Sequence, residues 1–557
     1  MAEKSTVIDF SEDRLLSMAS DYLDDHNYIG ALKMLNKNAI VNGNDDASFM
    51  LYAEIFDDLR LYEKSVNNWY KYLDTGATDD LQDAYESMAI SYINMGNERT
   101  SAYYYNKLLI EAGEFSKETR QDLINSFIGE NKPTLKFAYP PQLADYTEEI
   151  SNGVRCMRRG DFNGAIECFD KVAEGNEKYI TARNYIAMCK IICDKCEEAE
   201  AECKNVLEKQ PENVQALTTL AAVKIQQRQI NDARVLAKKL LTIPTEEVED
   251  IYKIATVCCE NGMHEEAFEL FCKIEQNVGY DLSLLYFKGI SAYNCHRLQD
   301  CIDAFDTLLA IYPNAVTARY YYEFIRKDCK RDEEQRETLS YFYRLPAEVR
   351  NAYLDLLGTV AKASKKKARE IADKIDLAEC LYWCFEEPDE SGVVDFVKIG
   401  AVCAEKIGLD FYVREVLLNA FLPDDMKLDL LTDLYNRNKA DEFGVVLCHV
   451  YKNVKVVPVK LPRAKSKNFI FAYAHVATRF GIIDENFIYK LNSATQRAYE
   501  IYAQKDMLDQ SQDVGVLMAI IYKISGIDVE GVTKDNFFAC FDADEQEYDR
   551  ITGELGL

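Results

Sequence analysis

Apolar residues recur along most of this chain at spacings of three and four, the mark of helices that bury one face. The stretch LQDCIDAFDTLLAIYPNA (298–315) carries Cys301 and Phe305 on its apolar stripe and meets Pro313. The stretch CEEAEAECKNVLEKQPEN (196–213) lies 102 residues upstream and has the same form, meeting Pro211. Each predicts one amphipathic helix stopped by a residue that cannot continue it.

The spacing between the two stretches is a multiple of a shorter period. Ala165, Ala199, Ala233, Ala267 and Cys301 stand 34 residues apart, and so do Phe169, Cys203, Ala237, Phe271 and Phe305, four positions on. A second series of small residues runs twelve positions before the first: Gly153, Ala187, Ala221, Ala255 and Gly289. Pro211, Pro244 and Pro313 close three of the units. Nearer the start, Ala19, Ala53 and Ala89 repeat the scheme with steps of 34 and 36. There Ala31, Ser65 and Ser101 mark the second helices, followed by Leu35, Trp69 and Tyr105.

Such a period predicts helical hairpins. Small side chains let two antiparallel backbones approach, and a large residue four positions later fills the space toward the next hairpin. Each hairpin leaves an apolar face that only a neighbour covers, so hairpins stack. The pattern resembles the tetratricopeptide repeat (TPR), with its small residue at position 8, Ala at 20, an aromatic at 24 and Pro near 32. The best matches are SNGVRCMRRGDFNGAIECFDKV (151–172) and YFKGISAYNCHRLQDCIDAFDTLLAIYP (286–313). The Trp that the family favours at position 4 is missing. The resemblance implies an all-α, right-handed α-solenoid of some eight hairpins.

The chain is expected to divide as follows. Residues 11–130 form a first array of three repeats, ended by a helix at 116–130. Residues 131–145, with three prolines, form an extended linker. Residues 146–331 form a second array of five repeats and a closing helix. From 332 to 450 the period is lost, yet AEVRNAYLDLLGTVAKA, YVREVLLNAFL, MKLDLLTDLYNRN and EFGVVLCHVYKN still read as helices, of a HEAT-like, irregular kind. A basic segment, 451–468, follows; within it VKVVPVKL (454–461) is at most an edge strand. Residues 469–557 return to helices and end in an acidic stretch.

Charge narrows the functional classes. The net charge is −29, which repels bare nucleic acid and anionic membrane. It is unevenly spread: residues 1–100 hold 8 basic against 19 acidic side chains, while residues 451–500 hold 9 against 3. The apolar run VGVLMAIIY (514–522) is too short to span a bilayer. The acidic MAEKSTVIDFSEDRLL lacks the apolar core of a secretion signal, and most of the 17 cysteines fall on apolar helix faces. The expected setting is a reducing cytoplasm, without disulfides.

Little in the sequence points to chemistry. No HExxH, P-loop or GxSxG motif is present. The five histidines (26, 264, 296, 449 and 475) share no ligand spacing. Cys189, Cys193, Cys196 and Cys203 form the one suggestive metal cluster, but they occupy positions where other repeats carry packing residues. The acidic runs 385–390 and 542–547 lack the spacing of a calcium loop. No cofactor, metal or catalytic residue is expected.

Two binding surfaces are expected instead. By the resemblance, the first helix of each hairpin lines a concave groove. Carried onto the second array, that groove comprises Ile150, Met157, Arg158, Asn184, Met188, Thr218, Gln226, Tyr252, Thr256, Glu260, Tyr286, Tyr293 and Asn294. Its amides, hydroxyls and aromatics suit an extended peptide or a helix. The Lys/Asn clamp that one TPR subfamily uses for carboxylate tails is absent: the positions read Leu16/Ser20, Met50/Glu54, Ile150/Val154 and Asn184/Met188. The second surface is the basic patch Lys452, Lys455, Lys460, Arg463, Lys465 and Lys467, which reads as a solvated loop, a nucleic-acid contact, or a segment docked on the acidic first array. The expected role is a protein-binding scaffold or adaptor. The alternatives are a regulator touching nucleic acid through 452–468 and an enzyme with a site in the C-terminal half.

Overall fold

The computed structural model describes residues 10–113, 146–158, 160–276, 280–331, 336–386, 396–437, 442–447, 449–455, 463–481, 484, 486–529, 532–534 and 537–557. The expected helix at 116–130 and the linker at 131–145 lie outside these residues. The chain forms two compact units. One contains residues 1–132, 314–316 and 345–557, and the other contains 133–313 and 317–344.

The first unit begins with three hairpins: α1 (Glu12–Asp24) with α2 (Tyr28–Val41), α3 (Asp46–Asp58) with α4 (Tyr62–Thr75), and α5 (Leu81–Asn94) with α6 (Glu98–Glu111). The second unit stacks five more: α7 (Thr147–Arg158) with α8 (Phe162–Phe169), α9 (Tyr179–Ile192) with α10 (Cys196–Lys209), α11 (Val214–Gln226) with α12 (Ile230–Leu240), α13 (Val248–Glu260) with α14 (His264–Glu275), and α15 (Leu282–Asn294) with α16 (Leu298–Ile311). Helix α17 (Val316–Asp328) follows.

The small and large positions meet as the period predicts. A Cβ added to Gly289 would lie 2.7 Å from the Phe305 ring, and one on Gly153 would collide with Phe169. The large residues also reach the next hairpin. Phe169 stacks on Tyr185 with ring centroids 5.0 Å apart, and Phe305 on Tyr322 at 5.6 Å. Phe169, Phe271 and Phe305 are fully buried.

The turn inside each hairpin is also periodic. Gly160, Asp194, Arg228, Gly262 and His296 all adopt positive φ, as do His26, Arg60 and Gly96 in the first unit. The next residue's N–H bonds back across the turn, as from Lys195 to the Lys190 carbonyl at 2.8 Å and from Arg297 to Ala292 at 2.8 Å. This left-handed cap satisfies carbonyls that the helix end leaves open. Asn27, Asn97 and Asp161 then cap the second helices by accepting from Gly30, Thr100 and Gly164 N–H groups.

The remainder of the first unit is helical but irregular: α18 (Ala347–Lys362), α19 (Lys365–Ala372), α20 (Ala378–Trp383), α21 (Phe396–Ile407), α22 (Asp410–Leu418) and α23 (Asp424–Arg437). The same left-handed turn recurs at Gly408, where Leu409 N–H bonds to the Ala404 carbonyl at 2.9 Å. Strands β1 (Glu442–Leu447) and β2 (Val450–Lys455) come next, then α24 (Arg463–Gly481), α25 (Asn486–Gln504), α26 (Val514–Ser525), α27 (Phe537–Phe541) and α28 (Glu545–Leu555). Every residue of the apolar run from Gly515 to Tyr522 is buried, so that run is the core helix of this end.

One expected helix is a β-hairpin. EFGVVLCHVYKN pairs antiparallel from Glu442↔Lys455 to Leu447↔Val450, turning through His449 at φ +60°. A short apolar run fits either period, and here the β-branched Val445, Val446 and Val450 favour the strand. Val445 and Val446 are both fully buried, so both faces of β1 are covered. The wholly buried Lys427 donates to the Val446 carbonyl at 2.8 Å. Strand β2 ends at Lys455; the proline-containing remainder of 454–461 lies outside the described residues.

This hairpin packs on the first array, and the two share one hydrophobic core through Trp69, Tyr70, Tyr92, Tyr104, Val446, Val450 and Phe469. The hydroxyls of Tyr70 and Tyr104 donate to the His449 carbonyl at 2.6 and 2.8 Å. Tyr451 donates to Asp74 at 3.0 Å, and Arg414 pairs with the same carboxylate. Lys71 pairs with Glu415 at 2.7 Å.

Candidate peptide-binding groove

The first helices of the second array present the expected groove positions, and the structure sorts them into two stretches. Over α7, α9 and α11 they mostly serve packing and local bonds. Ile150 and Met157 lie half-buried against the core of the α7/α8 hairpin. The side chain of Arg158 lies outside the described residues. Asn184 donates to Asn213 at 3.2 Å, and Met188 sulfur accepts from Gln215 at 3.4 Å. Thr218 is buried and donates to the Gln215 carbonyl at 3.0 Å. Gln226 is exposed and donates to Asp194 at 2.8 Å.

Over α13, α15 and α17 a later part of the chain lies against the expected positions. After α17, residues 336–344 run back over the last hairpins without regular structure, bending at Tyr341 and at Arg344, whose N–H donates to the Phe342 carbonyl at 2.8 Å. From Leu339 to Tyr343 the side chains alternate between inward and outward. Leu339, Tyr341 and Tyr343 are half-buried, while Ser340 and Phe342 point to solvent.

Three contacts hold this segment. The Asn294 amide donates to the Leu339 carbonyl at 2.9 Å, and its carbonyl accepts from the Leu339 N–H at 2.8 Å. The Tyr341 hydroxyl lies 2.8 Å from His264 Nδ1, with the two rings stacked at 5.7 Å. Tyr343 stands edge-on to Tyr286 with centroids 4.8 Å apart. Beyond these, Tyr321 donates to the Arg344 carbonyl at 3.0 Å.

The remaining expected positions support this stretch. Tyr293 is buried and donates to the buried Asp328 at 2.5 Å, which fixes the end of α17. Tyr252 packs half-buried, edge-on to Phe271, and Thr256 bonds to the Tyr252 carbonyl at 3.0 Å. Glu260 is exposed. Tyr286 is a correction to the reading of an open contact surface: it is 0% exposed, so it acts as a wall of the groove beneath the segment.

The rings that meet the segment are held neutral, although Glu260 and Asp328 place carboxyls nearby. Burial pulls His264 below its usual pKa, favouring the neutral ring. Burial pushes Tyr341 upward, and burial together with Asp328 does the same for Tyr293. Neutral donors and acceptors of this kind match an uncharged backbone, which offers one N–H and one C=O per residue.

His264 and Tyr321 were not among the expected groove residues. His264 opens the second helix of its hairpin, and Tyr321 lies after the last full period. The alternation of Leu339, Tyr341 and Tyr343 in RETLSYFYRL is the one sequence signal that marks the segment.

Lys452 is exposed on β2, and Lys467 is half-buried on α24. Lys460 lies outside the described residues, as do the side chains of Lys455, Arg463 and Lys465. Cys189 and Cys203 are buried within the second array, with their thiols pushed up by burial to about 11 and about 12. Among the described residues no group of three His, Cys, Asp or Glu side chains is placed to hold a metal ion. No helix among them is long and apolar enough to cross a membrane.

Period, hairpin and turn together define a tetratricopeptide-repeat protein. The profile of the family described as anaphase-promoting complex, cyclosome, subunit 3 matches residues 226–308. No curated protein matches the sequence. Among solved structures, yeast Tom70 is similar at 15% identity, covering 77% of this chain and 98% of its own, with a TM-score of 0.29. YrrB, titled a TPR protein with an unusual peptide-binding site, is 16% identical over 32% of this chain and 92% of its own, at 0.25. The TPR2AB domain of yeast Sti1, in complex with pHSP90, is 15% identical over 47% and 98%, at 0.18.

Proposed function

We propose that this chain is a non-catalytic interaction scaffold whose second array receives a peptide segment of another protein along its first helices. One observation carries the reading. Asn294 engages both backbone groups of Leu339, which supports recognition of a polypeptide by its main chain. Alternate side-chain pockets, formed by Tyr286 on one side and His264 with Tyr341's neighbours on the other, add selectivity. Main-chain bonds with side-chain pockets at every second residue are a recurrent mode of peptide recognition. The groove's neutral groups disfavour a ligand chosen by charge.

The test is a capture from nuclease-treated extract with the tagged chain and its Asn294→Ala variant. A protein retained in stoichiometric amount by the first and lost from the second supports the reading. Equal retention by both places the interaction elsewhere. Partners that vanish with nuclease or at moderate salt favour phosphate contacts through the basic segment.

A further inference from the structure

We infer that residues 336–344 are a displaceable occupant, so the groove is closed by its own chain until a partner segment of like pattern takes its place. The inference rests on the reading of the groove as a peptide site, and it names both the regulation and the kind of partner. The partner is a stretch without regular structure that carries bulky apolar or aromatic side chains at three alternate positions, as Leu339, Tyr341 and Tyr343 do.

The fit of the segment is good in its backbone and incomplete in its side chains. Asn294 saturates the main chain of Leu339. Yet the hydroxyl of Tyr286, which is wholly buried, has no hydrogen-bond partner. A buried hydroxyl left unpaired weighs against the state that leaves it so. Phe342, between the two inward tyrosines, is 65% exposed. An incoming segment that pairs the Tyr286 hydroxyl improves on the resident one.

A tethered occupant competes strongly. Its effective concentration is on the order of millimolar, so a free peptide sees only the fraction of molecules that are open. Loosening the resident segment therefore raises the apparent affinity for a peptide in trans.

The experiment uses the full chain and a fluorescent peptide of sequence RETLSYFYRL. Binding is measured by anisotropy to the wild type, to Tyr341→Ala/Tyr343→Ala, and to Leu339→Pro. The last removes the N–H that Asn294 accepts and leaves both tyrosines in place, which guards against a packing defect in the double variant. The expected result is binding at least about tenfold tighter to either loosened chain, and its loss when Asn294→Ala is added. Equal affinity for wild type and loosened chains overturns the occupant while leaving the groove reading intact. Failure of all folded variants to bind the peptide overturns the groove reading, and the inference with it.

Discussion

The amide of Asn294 and the backbone of Leu339 share two hydrogen bonds, 2.9 and 2.8 Å long, across 45 residues of chain. A side-chain amide is one of few groups that can give to a carbonyl and accept from an N–H of the same residue. The pair sets the register of the whole segment. With Leu339 fixed, Tyr341 falls on His264 and Tyr343 on Tyr286.

The hairpin packing predicts a test of the repeat itself. Gly289→Ala drives a methyl against the Phe305 ring, 2.7 Å from the new carbon. Overpacking of this kind costs about 1–3 kcal/mol. Phe305→Ala opens a cavity instead and costs about 3–5 kcal/mol. Denaturant titration of each variant is expected to show both losses with helical content retained.

The junction between the β-hairpin and the first array predicts a non-additive pair. Tyr70 and Tyr104 both donate to the His449 carbonyl. Either Tyr→Phe change leaves one donor, so each is expected to cost about 1 kcal/mol. The double change leaves the half-buried His449 carbonyl without either, and is expected to exceed the sum of the singles. A double-mutant cycle by denaturant unfolding measures the excess.

Much of this was legible in the sequence, and the limits have physical causes. Gly153 and Gly289 announce close approach because nothing larger fits beside Phe169 and Phe305. The left-handed turns were hidden because Asp194, Arg228 and His296 fill positions that glycine usually marks. EFGVVLCHVYKN misled because a short apolar run carries both periods, and its partner surface, the tyrosines of the first array, is more than 300 residues distant. The resemblance supplies only expected groove positions, and it could not supply the contact of Asn294 with Leu339, which depends on where the chain turns after α17.

An ion pair between neighbouring hairpins predicts a pH dependence. Hydrogen bonds from Lys204 and Lys224 hold the Glu200 carboxyl down to about 2. An unfolded glutamate titrates near about 4.3. A depressed carboxylate contributes stability that is present above the unfolded value and lost as pH falls toward the folded one. Unfolding followed from pH 5 down to pH 2 is expected to show a shallower loss of stability for Glu200→Gln than for the wild type.

The central claim, that the second array holds a chain segment by its backbone through Asn294, is tested most directly by hydrogen exchange at the Leu339 amide. That N–H lies outside any helix or strand and is bonded to a side chain. The account predicts exchange slowed at least about tenfold in the wild type, and return to the unprotected rate in Asn294→Ala while the helical amides of α15 stay protected. Exchange at the unprotected rate in the wild type would contradict it.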